Sequence, residues 1–578
     1  MVPERDRNYR KAMEKRLSKI YPQKCVQILL LIGFCAILYF VNLGQWDLWS
    51  PDEPRYAQVA KEMVTGGDWI LMHYNGKIYP DKPPLFFWLV TLSSYLWRGF
   101  SSFSVRFVPA LFGTLTVLVT FFIGKTLFSS RAGFLSGLVL ATSFEFAYLS
   151  TRANIDTMLT FFTTGSLLCF FHWYRNRPPH LGYESMRHSP RSEPVSALPR
   201  NLSIYGFYVG MAFATLAKGP VGFILPLLVS LFYLSVQKDW KAIKRMKLLP
   251  GLLLFVGIVL CWYLPALMRG GEDYLHLTLF KHTISRYSEG WSKARPFYYY
   301  LYNFPIGFLP WILFLPAAIV YGYSREMIEK KREFFFILLW FALIFIFFSS
   351  SKGKRSLYLL PLYPAAALLV GKLWDDFIST PMDHFRPEWI SFPLYGFMGL
   401  TLLAGASLPV VTSMRFPPYL LYSLPAAFIL VAGSIAIFFL YRMKNHGALL
   451  CLILMVIAAG FFYTSRVVFP LVNPYKSSRF ISREITSRIL PGEKLSVYGR
   501  VSAAPYNFYT GIVPIDELNT REELLHFLNS SGRVFCLLPF KDFSQFQTKE
   551  GWPEVQLITR RQVGGIDIVL ISNDSSGR

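Results

Sequence analysis

The sequence predicts an α-helical polytopic membrane protein that ends in a small α/β domain. The chain has 578 residues, of which 53% are hydrophobic and 17% aromatic, and only 16% are charged, against about 25% in ordinary globular proteins. Its apolar residues are gathered into runs near the ~20 residues that a helix needs to cross a bilayer. These runs stop near residue 472, and the polar tail that follows has the pattern of a soluble domain.

The first apolar run, residues 26–43, follows a basic segment, residues 1–24, without a small-residue cleavage site behind it. We therefore expect a transmembrane helix with a cytoplasmic N-terminus and not a signal peptide. The later apolar runs centre near residues 115, 140, 163, 209, 228, 257, 310, 342, 366, 402, 431 and 458. About thirteen spans are predicted, within a transmembrane domain of residues 25–472.

Charge sets the orientation. With the N-terminus inside, the basic segments fall on the cytoplasmic side, as the positive-inside rule requires. These segments are 175–200, 238–247, 324–333 and 442–444. One acidic segment, 375–390, falls on the same side. The net charge of +24 is then explained by loops that contact anionic lipid heads, so nucleic acid is not an expected partner. An odd number of spans places residues 473–578 in the periplasm.

The tail, residues 473–578, alternates strand-like and helix-like stretches. KLSVYGR, RVFCLLPF, EVQLIT and GIDIVLI predict strands, and REELLHFLNSSG predicts a short helix closed by glycine. No motif in it indicates a site.

The first outer loop, residues 44–105, is far longer than a connector needs to be. It carries Asp52 and Glu53 next to the first span, then Arg55, an amphipathic helix over 54–64, and Lys82 before two prolines. Alone, the acid pair could be a helix N-cap, and Lys82 could extend to lipid heads. Together on one structured loop, these residues favour a functional site.

Three further outer segments, residues 150–156, 268–299 and 350–358, carry charges at the membrane edge, where charge is costly unless it is paired or functional. Arg152 and Asp156 are spaced to share a helix face, as a structural pair or as part of a site. The positively charged residues on the outer side are placed against the positive-inside rule, which indicates an anionic ligand such as phosphate. Contact with anionic lipid heads is the alternative. These residues include Lys281, His282, Arg286, Lys352, Lys354 and Arg355, with Tyr358 beside them.

Two of these stretches carry a family resemblance. DEPRYAQVAKEM with NGKIYPDKPPL, and SSSKGKRSLYLLPLYP, resemble the motifs of bacterial lipid-linked-sugar glycosyltransferases of the GT-C fold. The nearest group is the lipid A aminoarabinose transferases, and protein O-mannosyltransferases are more distant. The similarity covers roughly residues 25–370.

The resemblance implies roles for matched positions. Asp52 and Asp156 would be catalytic acids, with Glu53 beside them. A donor phosphate would be held by a set of basic and tyrosine side chains: Arg55, Tyr79, Lys82, Arg286, Lys354 and Tyr358. Lys352 and Arg355 are expected to add to this set because of their positive charge on the outer side, not because of the resemblance. A divalent metal ion, the one cofactor that the resemblance allows, would be held by Asp81 and His282. Two positions depart from the aminoarabinose transferases, which carry Glu in place of Asp81 and Leu in place of Arg355.

The implied activity is inverting transfer of a sugar from a polyprenyl-phosphate donor to a periplasmic acceptor at the bacterial inner membrane. Lipid A or another lipid-linked glycan is the first expected acceptor, and a protein hydroxyl, as in an O-mannosyltransferase, is the alternative. A transporter or flippase of lipid-linked sugars is a second alternative. Against it, the sequence has no repeated pair of broken helices in two matching halves.

Overall fold

The computed structural model describes residues 24–176, 199–278, 294–324, 327, 330–379 and 386–573. Within these ranges the chain is mainly helical up to residue 486, and a mixed sheet follows. Each apolar run that the sequence predicts contains at least one described helix. The predicted fold class, an α-helical membrane protein with a small α/β region at its C-terminal end, is confirmed.

The first half of the chain forms one hairpin and a series of helices. The elements are α1 (Lys24–Phe40), α2 (Asp52–Gly66), β1 (His73–Tyr74), β2 (Lys77–Ile78), α3 (Leu85–Leu96), α4 (Ser102–Leu127), α5 (Ser130–Ala141), α6 (Phe144–Ser150), α7 (Asp156–Arg175), α8 (Arg200–Lys218), α9 (Val221–Val236), α10 (Trp240–Arg245) and α11 (Leu248–Leu275).

The helices continue up to the C-terminal sheet. They are α12 (Tyr299–Gly307), α13 (Leu315–Tyr321), α14 (Lys331–Ser350), a 3₁₀ segment (Ser356–Leu362), α15 (Tyr363–Ser379), α16 (Glu388–Arg415), α17 (Leu420–Arg442), α18 (His446–Tyr463), α19 (Phe469–Lys476) and α20 (Arg479–Thr486). The predicted domain boundary at residue 472 therefore falls inside α19.

Seven of the described helices are long and apolar enough to cross a membrane, and the number rises to nine if each of two bent pairs is one span. The bent pairs are α5 with α6, at 72°, and α12 with the segment Trp311–Tyr321, at 118°. Three more apolar helices, α1, α3 and α9, are shorter. The chain is a multi-pass membrane protein, and the number of thirteen spans stays a prediction.

Small residues let the helices of the membrane part approach closely. A Cβ atom built on Gly133 of α5 would lie 2.3 Å from the carbonyl oxygen of Phe121 in α4, so only glycine fits there. Gly371 of α15 faces Ser136 of α5 in the same way, at 2.3 Å from its hydroxyl. Contacts of this kind are a general means of packing helices in lipid, where apolar surface alone does not drive association.

The C-terminal region is a five-stranded mixed sheet with flanking helices. Its elements are β3 (Lys494–Tyr498), α21 (Ala504–Thr510), β4 (Asp516–Leu518), α22 (Arg521–Leu528), β5 (Val534–Pro539), α23 (Phe540–Gln547), β6 (Gln556–Val563) and β7 (Ile566–Ser572). The strand order is β4-β3-β5-β7-β6, parallel from β4 to β5 and antiparallel from β5 to β6. All four predicted strands and the predicted helix α22 are confirmed, and β4 was not predicted.

Candidate active site

Helix α2 of the first outer loop begins at Asp52, two residues before the predicted start. Pro51 is its N-cap residue, so Asp52 and Glu53 lie in the first turn, where the helix dipole favours negative charge. The alternative that the acid pair caps the helix is not what the structure shows. The predicted apolar face is confirmed, since Tyr56, Val59, Ala60 and Met63 are buried.

Glu53 is a buried structural carboxylate. Its oxygens accept hydrogen bonds from Arg106 of α4 at 2.7 and 3.0 Å, and Arg152 lies 2.8 Å away. Backbone N–H groups of Trp49 and Ala153 donate to it as well. Burial alone would raise the pKa of Glu53, but the charges of Arg106 and Arg152 lower it below the ordinary value. Glu53 is therefore buried with both oxygens hydrogen-bonded, which favours a structural role over the expected catalytic one.

Asp52 lies between two guanidinium groups. Arg55 Nη2 donates to Oδ1 at 2.6 Å, and Arg355 Nη2 donates to Oδ2. Arg55 is part-buried, and although burial opposes its charge, nearby Tyr79, Tyr56 and Asp52 raise its pKa above the ordinary value. The first outer loop and the 350–358 segment therefore meet at Asp52, as the sequence analysis expects of one site.

The segment after β2 adds a second carboxylate and a lysine. The Tyr79 hydroxyl donates to Asp81 Oδ2 at 3.1 Å, and Lys82 Nζ donates to Asp81 Oδ1 at 3.4 Å. Burial, and then the charge of Asp81, raise the pKa of Tyr79 well above its usual range, so Tyr79 is a hydrogen-bond donor at neutral pH. Lys82 is one-eighth exposed, which does not suit a side chain extended freely to lipid heads.

Tyr56 lies between these two groups. Burial raises its pKa, Asp52 and Asp81 raise it further, and Arg55 and Arg355 oppose the rise. The Tyr56 hydroxyl therefore keeps its proton at neutral pH and can donate a hydrogen bond. The edges of Phe86 and Phe87 pack against the ring at 5.7 and 5.9 Å between centroids.

Asp156 is paired with Lys218, not with Arg152. Helix α7 begins at Asp156, so Arg152 precedes the helix and the predicted shared face does not form. Arg152 instead contacts Glu53 and donates to the Tyr148 hydroxyl at 2.9 Å. Lys218, the last residue of α8, donates to Asp156 Oδ1 and lies 4.4 Å from the ring centre of Tyr358. Asp156 and Tyr358 therefore belong to one contact chain.

The two lysines before Arg355 differ in their surroundings. Lys354 Nζ donates to the carbonyl oxygens of Arg295, at 3.2 Å, and Ser351, and the side chain is buried. Lys352 is exposed, and its carbonyl accepts from the backbone N–H of Arg295. Lys354 thus ties the 350–358 segment to residue 295, while Arg355 is the member of this basic stretch that reaches Asp52.

Two predicted residues, His282 and Arg286, lie outside the described residues. Within the described ranges no group of three or more His, Cys, Asp or Glu side chains could hold a metal ion. Asp81 is bonded through both oxygens to Tyr79 and Lys82. Because the second expected ligand, His282, lies outside the described residues, the metal site stays a prediction.

Sequence reasoning missed three residues of this region: Tyr56, Arg106 and Lys218. Tyr56 was assigned only to the apolar face of α2. Arg106 and Lys218 are single cations at the ends of long apolar helices, where an unpaired charge is costly. That cost is a signal that each needed a carboxylate partner, but which partner depends on the fold.

The cluster as a whole suits an anionic ligand with one negative charge. Among the described residues, four cations, Arg55, Lys82, Lys218 and Arg355, accompany the carboxylates of Asp52, Asp81 and Asp156, which gives one positive charge in excess. These side chains are between one-twentieth and about three-tenths exposed, so water screens their charges only partly. Such a site can bind a phosphodiester and stabilise charge that develops on it.

Comparison with known proteins finds relatives of the family that the sequence motifs resemble. The dolichyl-phosphate-mannose-protein mannosyltransferase family model matches residues 24–280. An undecaprenyl phosphate-alpha-4-amino-4-deoxy-L-arabinose arabinosyl transferase from Pectobacterium atrosepticum is 31% identical over 399 residues, which is 68% of this chain and 66% of the relative. The corresponding Pectobacterium carotovorum enzyme is 32% identical with the same coverage. The chain thus spans about two thirds of the length of these relatives.

A solved structure supports the fold independently. ArnT from Cupriavidus metallidurans, crystallised with undecaprenyl phosphate, superposes with a TM-score of 0.77 at 20% identity and covers 95% of this chain and 98% of its own. The match includes the C-terminal region as well as the membrane helices. The chain is therefore a glycosyltransferase of the GT-C fold, and it resembles lipid A aminoarabinose transferases and, more distantly, protein O-mannosyltransferases.

Proposed function

We propose that the chain transfers a sugar from undecaprenyl phosphate to lipid A or another lipid-linked glycan, on the periplasmic face of the bacterial inner membrane. Two relatives at 31% and 32% identity are named for 4-amino-4-deoxy-L-arabinose, which makes that aminosugar the first candidate. The observation that carries the proposal is the Asp52 carboxylate between Arg55 and Arg355, beside Tyr79 and Lys82.

The cations of this cluster act on the leaving group. As the bond from the sugar carbon to the phosphate oxygen breaks, negative charge grows on the polyprenyl phosphate. Arg55, Lys82 and Arg355 are placed to stabilise it, with a hydrogen bond from Tyr79 or Tyr56. Attack from the opposite face in one displacement inverts the configuration at the sugar carbon. Lys218, held by Asp156 next to Tyr358, adds positive charge at the far side of the cluster.

The contacts of Asp52 bear on the choice of acceptor. Each of its oxygens accepts a charge-assisted hydrogen bond from a guanidinium group. This arrangement favours an electrostatic role, toward the positive charge that develops on the sugar carbon, over removal of a proton. A phosphate acceptor, already ionised, needs no proton removed, whereas a protein hydroxyl does. The geometry thus supports lipid A ahead of a protein.

The proposed site residues are Asp52 and Asp156 as carboxylates, with Arg55, Tyr79, Lys82, Arg355 and Tyr358 around the donor phosphate. Glu53 is proposed to hold the first loop in place. Lys354 is proposed to orient the segment that carries Arg355. Lys352 and Asp81 keep their expected roles as hypotheses, as do Arg286 and His282, which lie outside the described residues.

Mass spectrometry of lipid A tests the proposal. Lipid A is extracted from wild-type cells, from cells in which the gene is deleted, and from deletion cells that express the wild-type protein from a plasmid. We expect a sugar-modified species in the first and third samples and its loss in the second. An unchanged lipid A profile in all three, with a change in another glycan, would reassign the acceptor; no change in any glycan would contradict the proposal.

One observation favours a second candidate, a protein O-mannosyltransferase. The mannosyltransferase family model matches residues 24–280, the part that contains Asp52, Lys82 and Asp156. In that case the same deletion leaves lipid A unchanged and removes hexose from periplasmic proteins. Glycopeptide analysis of the periplasmic fraction separates the two.

A further inference from the structure

Asn75 occupies the turn between β1 and β2, and its side chain is buried against the C-terminal region. Its φ of 56° is left-handed, a conformation that Asn adopts more readily than most residues. Its Nδ2 donates to the carbonyl of Ile515 at 2.8 Å. Its Oδ1 accepts from the Ile515 N–H at 2.7 Å and from Asn507 Nδ2 at 2.9 Å. Three hydrogen bonds thus join this turn to residues about 440 positions away.

The backbone of the same turn is bonded to the helix that carries Asp52. The N–H of Asn75 donates to Glu62 Oε1 at 2.9 Å, and the N–H of Gly76 donates to Glu62 Oε2 at 3.1 Å. Glu62 lies in α2, where Gln58 Nε2 also donates to it at 2.7 Å. A shift of the turn would therefore be transmitted to α2, which begins at Asp52.

The hairpin is also the start of the segment that carries Tyr79, Asp81 and Lys82. Its two strands pair over two residues each, and the N–H of Tyr79 then donates to the carbonyl of Met72 at 2.7 Å. Helix α2 and the β1–β2 hairpin, the two structured parts of the first loop, thus contact each other at Asn75. The C-terminal region is hydrogen-bonded to the loop at the same residue.

A second set of contacts holds the chain just before α2. Asp47 accepts from Arg479 at 3.1 Å and from Ser477 at 2.8 Å. The N–H of Leu48 donates to the Tyr509 hydroxyl at 2.8 Å. The C-terminal region thus contacts the first loop both before and after the helix that begins at Asp52.

We infer that residues 473–573 are a positioning element of the active site and that Asn75 is the residue through which they set the relative placement of Asp52 and Lys82. This inference rests on the proposed function, because those two residues are assigned there. The side-chain hydrogen bonds described for Asn75 run to Ile515 and Asn507, and those of its turn run to Glu62. They act through α2 and the hairpin, so their effect is on geometry, to which a transfer reaction is sensitive.

The test compares two interface variants with a matched control in the full-length protein. Asn75→Gly removes the three side-chain hydrogen bonds and keeps the left-handed backbone accessible. Tyr509→Phe is milder and removes only the hydroxyl that accepts from Leu48. The control is Asn573→Ala, which also removes several hydrogen bonds of an asparagine, but all of them lie within the C-terminal region, to Leu528, Ser530, Gly532 and Val534.

Two readouts are needed. The first is kcat and KM with undecaprenyl-phosphate aminoarabinose and lipid A, measured at a temperature where every variant is folded. The second is hydrogen–deuterium exchange of the peptides that cover residues 52–66 and 73–82. We expect Asn75→Gly to lower kcat by at least about tenfold and to speed exchange in both peptides. Tyr509→Phe should also lower kcat and speed exchange, but by less than Asn75→Gly. Asn573→Ala should leave kcat and the exchange rates at the wild-type values.

The exchange readout does not depend on turnover, so it keeps the two proposals apart. If the wild type transfers no sugar, the proposed function fails, while faster exchange in Asn75→Gly still supports positioning by the C-terminal region. If Asn75→Gly and Tyr509→Phe keep kcat within about twofold of the wild type and match Asn573→Ala in exchange, the contact is only structural and the inference is overturned.

Discussion

Arg355 donates a hydrogen bond to Asp52, although 303 positions separate them in the sequence. The contact joins the start of the first outer-loop helix to the segment between α14 and the 3₁₀ turn that precedes α15. It brings a carboxylate and two guanidinium groups together at one point. The chemistry assigned to this chain depends on that junction.

Replacement of Arg355 tests the junction. Arg355→Ala should lower kcat/KM by at least about tenfold, because a charge-assisted contact of roughly 1.5–3 kcal/mol to the phosphate or to Asp52 is lost. Arg355→Lys should recover part of the rate, since it keeps the charge without the planar fork. Steady-state assays of purified protein measure both. Arg415→Ala, which removes an exposed arginine at the end of α16, is the control; equal rates for Arg355→Ala and this control would contradict the assignment.

Lys82 follows Asp81 and precedes Pro83 and Pro84, which restrict the backbone because each proline fixes φ. Lys82→Ala should lower the transfer rate by at least about tenfold, since each 1.36 kcal/mol of barrier is a factor of ten. Lys82→Arg should rescue only in part. The matched control is Lys77→Ala, on the exposed strand β2 of the same loop. If Lys82 only contacts lipid heads, both alanine variants will stay within about twofold of the wild type.

Glu53 should matter for stability. Glu53→Gln leaves the buried Arg106 without its carboxylate and should cost about 3–5 kcal/mol of unfolding free energy. Because the pKa of Glu53 is lowered in the fold, its contribution is fully present above the unfolded value of about 4.3 and is lost only as pH falls through the folded pKa. The deficit should therefore be constant between about pH 5.5 and pH 8.

Thermal unfolding in detergent, repeated across that pH range, measures the effect of Glu53→Gln. Glu272→Gln, at an exposed glutamate, is the control and should unfold with the wild type. A Glu53→Gln protein as stable as this control, yet inactive, would instead indicate that Glu53 takes part in the reaction.

The topology prediction concerns the side of the membrane on which the tail lies. Asp47 of the first loop is bonded to Arg479, so the first loop and the C-terminal region lie on one side. We expect reporters at residue 185 to be cytoplasmic and reporters after residue 578 to be periplasmic. Alkaline phosphatase and green fluorescent protein fusions distinguish the two compartments. A cytoplasmic tail together with a cytoplasmic residue 185 would refute the odd number of spans.

Local patterns predicted much of the fold. The period of the apolar residues predicted α2 and the strands of the C-terminal region, because burial of one face imposes that period. Clusters of charge at the outer ends of helices pointed to Asp52, Arg55, Lys82 and Asp156. In the structure Asp52 pairs with Arg55, Lys82 with Asp81 and Asp156 with Lys218.

Pairings across the fold could not be predicted. Arg152 was expected beside Asp156 on a helix face, but the helix begins at Asp156, and Arg152 contacts Glu53. Lys218 had no predicted role, yet it is the partner of Asp156. Such pairs depend on which helices pack together, and the spacing of residues within one segment holds no information on that.

The most direct test of the central claim is sugar transfer by purified protein. Wild-type protein and the Asp52→Asn variant are incubated with synthetic undecaprenyl-phosphate aminoarabinose and lipid A, and the products are identified by mass spectrometry. We predict aminoarabinose-modified lipid A with the wild type, and none with an Asp52→Asn protein that unfolds at the wild-type temperature. Wild-type turnover by the folded Asp52→Asn protein would contradict the role of Asp52 at the centre of the site.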